Sequence, residues 1–242
     1  TAVELTFCNT NVKSLAALAE KVLAKYADVE KDALRINFCF DPIMRNLSEK
    51  GEFCCGTGDE CFDTIAKFIK ATAEYKHVRV VNVAGALFSN AGSTIVEELG
   101  FTLAAAHEYI VKLMERGLSI DEVARKIRFT FAVTSNYFLE MAKFRAARLL
   151  WANIVKAYNP EKNCSCKMRA HAVTSTWNQT VYDPYVNMLR GTTEAMSAAI
   201  AGVHSLEVRP FDYAFEAPTE FSKRIARNAQ LLLKKESHFD QV

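Results

Sequence analysis

The strongest constraint on this chain is the regular alternation of strand-like and helix-like segments along all 242 residues, with no Pro/Ser/Gly-rich linker between them. Segments 3–8, 34–40, 78–83, 127–133, 166–174 and 206–211 are rich in Val, Ile, Phe or Thr, and each is followed by a helical pattern. Strand spacings of about 30 to 50 residues leave room for a crossover helix, which forces a parallel sheet with right-handed connections. The expectation is a single α/β domain over residues 1–242, either a doubly wound sheet or a (β/α)8 TIM-type barrel. A doubly wound sheet often carries a glycine-rich phosphate turn at its crevice, yet Gly56-Thr57-Gly58 does not directly follow a strand. A closed barrel needs about eight strands. Six segments are found here, so the barrel reading implies that about two units are missing from the start.

Helix boundaries carry local signals. Asp59 opens a segment whose apolar Phe62, Ile65, Ala66 and Ile69 share one face. Leu99, Leu103, Ala106, Ile110 and Leu113 do the same before Gly117, and Ser119-x-x-Glu122 reads as a capping box. Asp183-Pro184 is expected to open a further helix. Pro218 is expected to open the last, with Phe221, Ile225, Ala229 and Leu232 along its inner face.

Composition excludes several function classes. Thirty Lys and Arg balance 28 Asp and Glu, leaving a net charge of +2 and no basic footprint for nucleic acid. No apolar run is long enough to cross a membrane, and the first residues lack a secretory pattern. The seven cysteines (Cys8, Cys39, Cys54, Cys55, Cys61, Cys164 and Cys166) are an odd, scattered set that fits reduced thiols and a cytoplasmic location. Neither the cluster beside Asp59 and Glu60 nor Cys164-x-Cys166 has zinc-ligand spacing, so no metal site is expected. The start at Thr1, without a Met, suggests a processed protein or a piece of something longer.

In α/β proteins chemistry gathers at the carboxyl ends of strands. After the strand at 78–83 that position reads Ala84-Gly85-Ala86-Leu87-Phe88-Ser89-Asn90-Ala91-Gly92, which contains no group able to move a proton. A nucleophile elbow, a Walker loop, a His-Glu-x-x-His pair and a paired-cysteine redox motif are all absent from the sequence. The polar residues expected at strand ends are Asn9, Asp41, Thr134, Ser135, Asn136, Thr174, Ser175, Trp177, Asp212 and Tyr213. His171, Asp41 and Asp212 could act as acid or base groups. Equally, His171 reads as a hydrogen-bonded core histidine, and the two aspartates read as caps.

The C-terminal third carries a recognisable string. It runs Asp183-Pro184-Tyr185-Val186-Asn187-Met188-Leu189-Arg190, Glu194-Ala195-Met196, Leu206, Pro218-Thr219-Glu220-Phe221-Ser222, Arg224-Ile225-Ala226-Arg227-Asn228, Gln230-Leu231 and Glu236-Ser237. Upstream lie Asn136-Tyr137-Phe138-Leu139-Glu140-Met141-Ala142-Lys143, Arg145-Ala146-Ala147-Arg148, Leu150-Trp151-Ala152 and the stretch from Arg169-x-His171 to Trp177. This ordered set, over residues 78–238 and more loosely at Asp41-Pro42-Ile43, resembles the barrel domain of methylmalonyl-CoA mutases.

The resemblance implies a (β/α)8 barrel in a family of coenzyme-B12-dependent radical isomerases of propionate metabolism. These interconvert methylmalonyl-CoA and succinyl-CoA beneath a cobalamin held by a separate domain. Where catalytic members read Gly-Tyr-His-Met-Gln-Glu-Ala-Gly, this chain has Gly85-Ala86-Leu87-Phe88-Ser89-Asn90-Ala91-Gly92. Ala86 thus stands in place of the radical-cage tyrosine and Leu87 in place of the substrate-assisting histidine, while Val173 replaces a Gln and Thr176 a Gly. The cobalamin domain's Asp-x-His-x-x-Gly signature is absent; the nearest string is Glu236-Ser237-His238-Phe239.

That combination is similar to the small, non-catalytic subunit of heterodimeric members. It implies a chain that binds no cofactor itself, with adenosylcobalamin supplied to the complex through a large-subunit partner. Two other readings stay open on the residues: an active acyl-CoA isomerase or lyase using His171, Asp41 and Asp212 with a cofactor domain in trans, and an acyl-CoA-binding barrel with a basic pocket near Arg169 or Arg209. An incomplete barrel leaves sheet edges uncovered, so the isolated chain is expected to form a homo-oligomer.

Overall fold

The computed structural model describes residues 5–7, 12–26, 29–48 and 58–241. The fold class is α/β, an incomplete TIM-like barrel in which β-strands alternate with helices and every recorded strand pairing is parallel. The chain divides into two compact units: Thr1–Ala84, Leu103–Arg128 and Trp151–Met168, and Gly85–Thr102, Phe129–Leu150 and Arg169–Val242.

In the first unit β1 (Leu5–Phe7), β2 (Ile36–Phe40) and β3 (Val78–Val83) lie side by side, with Leu5 opposite Ile36 and Ile36 opposite Val78. β3 is buried along nearly its whole length, as a parallel strand covered on both faces must be, hence its unbroken Val-rich run. Helix α1 (Val12–Lys25) follows β1, α2 (Pro42–Ser48) follows β2, and α3 (Gly58–Ala71) leads into β3. α3 buries Cys61, Phe62, Ile65, Ala66, Phe68 and Ile69 at helical spacing. Phe68 meets Phe38 edge-on at 5.3 Å between ring centroids. The far end of α3 is closed by Lys126, whose ammonium donates to the carbonyls of Thr72 and Tyr75 at 2.5 and 2.9 Å. That places a cation where the last carbonyls point. Burial beside Arg79 and Arg125 drives the Lys126 pKa down to about 7.

The second unit is built on β4 (Ile127–Val133), β5 (Ala170–Thr174) and β6 (Ser205–Glu207), with Phe129 opposite Ala170 and His171 opposite Ser205. The turn after β3 forms a short helix α4 (Ala86–Asn90) ahead of α5 (Ile95–Met114). The small helix α6 (Ile120–Ala124), which belongs to the first unit, precedes β4, and α7 (Tyr137–Lys156), part of the second unit as far as Leu150, follows it. α8 (Val186–Ile200) and α9 (Glu220–Lys235) follow β5 and β6, and Ala195, Val208, Ala226 and Leu233 form a common core.

Most expected boundaries hold: residues 78–83 and 127–133 are strands as read, and Ser119 with Glu122 closes both hydrogen bonds of a capping box. Four differ. β5 begins at Ala170 because residues 163–166 make a 3-10 turn held on the Asp121 carboxylate, which accepts from the Ser165 hydroxyl and the Glu161 and Lys162 amides. β6 ends at Glu207, after which the Arg209 amide donates to the Thr174 hydroxyl at 2.9 Å. α8 starts at Val186, past Asp183-Pro184, because the Asn187 side chain grips Thr180 instead of continuing a helix backwards. α9 starts after a Thr219 cap and buries Ser222, Ala226 and Leu233, one position round from the expected face, leaving Phe221 and Leu232 exposed.

Candidate functional site at the carboxyl ends of the strands

The turn at residues 85–92 is shaped by two glycines. A Cβ at Gly85 would stand 2.1 Å from the Thr102 hydroxyl oxygen, a distance no side chain tolerates. Gly92 has φ +98°, and a Cβ there would also press on the Trp177 ring at 3.0 Å. Between them Ala86 is buried against Ala132 and Val173, so the first position of the turn is filled by methyl groups. Leu87 is 45% exposed, and Phe88 packs on Phe101 with 5.2 Å between ring centroids. Asn90 is the one polar residue of the turn that reaches across: its Oδ1 accepts from the Thr176 amide at 3.1 Å and the Ser175 hydroxyl at 3.3 Å. The turn is thereby joined to the end of β5.

The loop between β5 and α8 is braced by side chains rather than left open. Asn187 is fully engaged: its Oδ1 accepts from the Thr180 amide and from Arg190, and its Nδ2 donates to the carbonyls of Thr180 and Phe211. Glu194, buried on α8, accepts from Asn178 Nδ2 at 2.5 Å. Burial pushes its pKa up to about 7 against the opposing pull of Asn178 and the Ser175 amide.

Beneath the end of β4 lies a buried ion cluster. Lys143 Nζ pairs with Glu98 and with Glu140, at 2.6 Å each, and donates to the Ala132 carbonyl at 2.7 Å. The remaining carboxylate oxygens hold the strand from its other groups: Glu98 accepts from the Ala132 amide, and Glu140 from the amide and hydroxyl of Thr134. Burial raises the Glu98 pKa in spite of Lys143 beside it. Such a cluster fixes the strand end in one geometry, since loss of Lys143 would leave two buried carboxylates without a counter-charge.

Each residue expected to do acid or base chemistry has a structural engagement. His171 sits near the start of β5, its Nδ1 2.9 Å from the Ser205 hydroxyl and its Nε2 4.0 Å from Glu207. Asp212, 1% exposed, accepts from the amide and hydroxyl of Thr219 and so fastens the cap of α9. Asp41, in the first unit, accepts from Tyr109 at 2.8 Å, from the Ala84 amide at 2.7 Å and from the Met44 amide at 3.3 Å. Burial carries its pKa to about 7 although all three donors favour the charged form. Thr134, Thr174 and Ser175 are likewise bound to neighbouring strand-end groups, and the Arg209 guanidinium lies 4.3 Å from the centre of the Tyr213 ring.

Among the described residues no group of three His, Cys, Asp or Glu side chains could hold a metal ion. Cys39, Cys61, Cys164 and Cys166 form no disulfide among the described residues; Cys8, Cys54, Cys55, Asn9 and the Gly56-Thr57 turn lie outside them. Sequence reasoning overlooked Glu98, Glu140, Lys143, Asn187 and Glu194 as a polar framework. The available signal was a charged or amide residue set within an otherwise apolar helical face, as Glu194 is beside Ala195 and Ala198.

Comparison with known proteins places this framework. The family model for methylmalonyl-CoA mutase matches residues 2–242. The chain is 43% identical, over its whole length, to the methylmalonyl-CoA mutase small subunit of Porphyromonas gingivalis, of which the match covers 39%. It is 42% identical to the methylmalonyl-CoA mutase of Rhizobium meliloti over 74% of this chain and 25% of that protein. It is also 42% identical to the methylmalonyl-CoA mutase large subunit of Streptomyces virginiae, over 65% of this chain and 21% of that one. The chain therefore spans about two fifths or less of the length of these relatives. With a family match over residues 2–242 and this level of identity over the whole chain, the chain belongs to the methylmalonyl-CoA mutase family.

Proposed function

We propose that this chain is a barrel segment of the small subunit of a heterodimeric, adenosylcobalamin-dependent methylmalonyl-CoA mutase. In this reading it supports a large catalytic subunit in the cytoplasm and does no chemistry of its own. The observation that carries the reading is the turn after β3. Its shape is kept by Gly85 against Thr102 and by Gly92 against Trp177, while Ala86 is sealed among Ala132 and Val173 and Leu87 offers only hydrocarbon. Isomerisation of an acyl thioester needs polar groups preorganised around the reacting carbonyl. Alanine and leucine supply none.

We assign no cobalamin site to the described residues of this chain either. The imidazoles of His107, His171 and His204 are engaged with Tyr158, Ser205 and the Ala170 amide, and the Asp-x-His-x-x-Gly string is missing. Adenosylcobalamin is accordingly assigned to the partner, and no step of the reaction is routed through this chain. Its contribution is a rigid scaffold, with strand ends held by Asn90, Asn187, Asp212 and the Glu98, Lys143 and Glu140 cluster.

The test is co-expression of the complete small subunit with a methylmalonyl-CoA mutase large subunit. The two should co-purify, and mutase activity should require the large subunit and rise or persist longer with the small one. A small subunit that fails to bind the large one, or that turns over methylmalonyl-CoA alone with added adenosylcobalamin, would contradict the proposal.

A further inference from the structure

Glu194 is 2% exposed, and among the described residues it makes no ion pair. The nearest buried ammonium, on Lys143, is already divided between Glu98 and Glu140. The charged groups that act on Glu194 among the described residues include Glu140 on α7, with Lys143 and Glu98 beyond it, and Arg190 one turn back on α8, which donates to Asn187. The loop after β5 faces it with neutral groups, Asn178 and the Ser175 amide. A third carboxylate in this place would repel Glu140, a repulsion larger than the opposing pull of Arg190.

Two details of the Asn178 contact point the same way. Its 2.5 Å separation from Glu194 Oε1 is short for N–H···O and ordinary for O–H···O. The other end of the same amide, Asn178 Oδ1, is buried without a hydrogen-bond partner. Turning the amide over sets Oδ1 against the carboxyl group. The buried acceptor is satisfied only if the carboxyl group carries a hydrogen.

We infer that Glu194 is held as a neutral carboxylic acid donating its proton to Asn178, and that loss of this proton to solvent releases the loop from β5 to α8. The device is a latch that loosens as pH rises. Ionisation replaces an O–H donor by a second acceptor, so Asn178 must turn or leave, and repulsion from Glu140 acts on the same side chain. The burial-driven pKa of about 7 puts the transition in the neutral range. The loop that would move carries Trp177, 64% exposed and packed over Gly92, so the turn at residues 85–92 is affected with it.

The sequence holds two tryptophans, and W151F leaves Trp177 as the only indole reporter. In that background Trp177 fluorescence should change with a single titration near neutral pH. E194Q, which keeps shape and hydrogen bonding but cannot ionise, should abolish it, while E140Q should lower the midpoint by roughly half to one pH unit. Infrared difference spectra of the unmodified chain read the proton directly and do not depend on W151F folding. A protonated-carboxyl band should be present below the midpoint and lost above it, and E194Q should remove all of it except the part that Asp41, also raised to about 7, supplies, which D41N/E194Q removes in turn. A fluorescence titration that survives E194Q, or the lack of any such band in the unmodified chain, would overturn the assignment.

Discussion

Asn90 Oδ1 accepts from the Thr176 amide at 3.1 Å, so one side chain of the turn after β3 holds the first residues beyond β5. With the Ser175 hydroxyl on the same oxygen, Asn90 fixes two chain segments 85 residues or more apart. N90A removes the acceptor and strands a part-buried amide. We expect a loss of about 1 to 3 kcal/mol in urea unfolding, with N90D milder because it still accepts.

Gly85 makes the sharper prediction. G85A forces a Cβ against Thr102, whose own hydroxyl is fixed on the Glu98 carbonyl and has little room to move. The expected cost is about 1 to 3 kcal/mol, typical of overpacking. G85A/T102A should recover part of it by removing the closest atoms. If the double variant is no more stable than G85A in thermal unfolding, the contact with Thr102 is not what requires the glycine.

Lys143 sits at the centre of the buried ion cluster. K143M leaves Glu98 and Glu140 facing each other without a counter-charge and should cost about 3 to 5 kcal/mol. E98Q/E140Q/K143M removes charge from all three and should cost clearly less than K143M alone. Chemical denaturation of both variants, compared with the unmodified chain, decides the order.

Two buried groups give opposite pH dependences. Asp41 has a folded-state pKa of about 7, above its ordinary 3.8, so it binds protons more tightly when folded. Its contribution is present below the lower value and is lost as pH rises through about 7. Lys126 is depressed from 10.5 to about 7, so its contribution is present above the higher value and is lost as pH falls through about 7. D41N should flatten part of the acid-side slope of stability against pH, with the remainder assigned to Glu194, and K126M should flatten the alkaline side. Unfolding midpoints measured across pH for each variant test both signs.

The strand and helix order was legible because each element carries its own signal: β3 an unbroken valine-rich run, α3 an apolar stripe, α6 a capping box. The α9 face was misplaced by one position because hydrophobicity pointed to Phe221, Ile225 and Leu232, whereas close packing selected the smaller Ser222 and Ala226 together with Leu233. At the strand ends, Ala86 and Leu87 stood out only through the family resemblance, since methyl groups in a turn announce nothing by themselves. The local sequence marked Glu194 only as a charged residue on an apolar helical face, and named no partner for it or for Asn187. Their partners, Phe211 for one and Asn178 for the other, lie 24 and 16 residues away, and only the folded chain brings them together.

In the proposed function the apolar turn at Ala86 and Leu87 belongs to a chain that supports a mutase without taking part in its chemistry. Calorimetric titration of the purified chain with acyl-CoA and, separately, with adenosylcobalamin tests that claim most directly. The account predicts no saturable heat for either ligand, with heat appearing only when a large subunit is the titrant. Saturable binding of either small molecule with a dissociation constant near ~1 μM, about −8 kcal/mol, would contradict it.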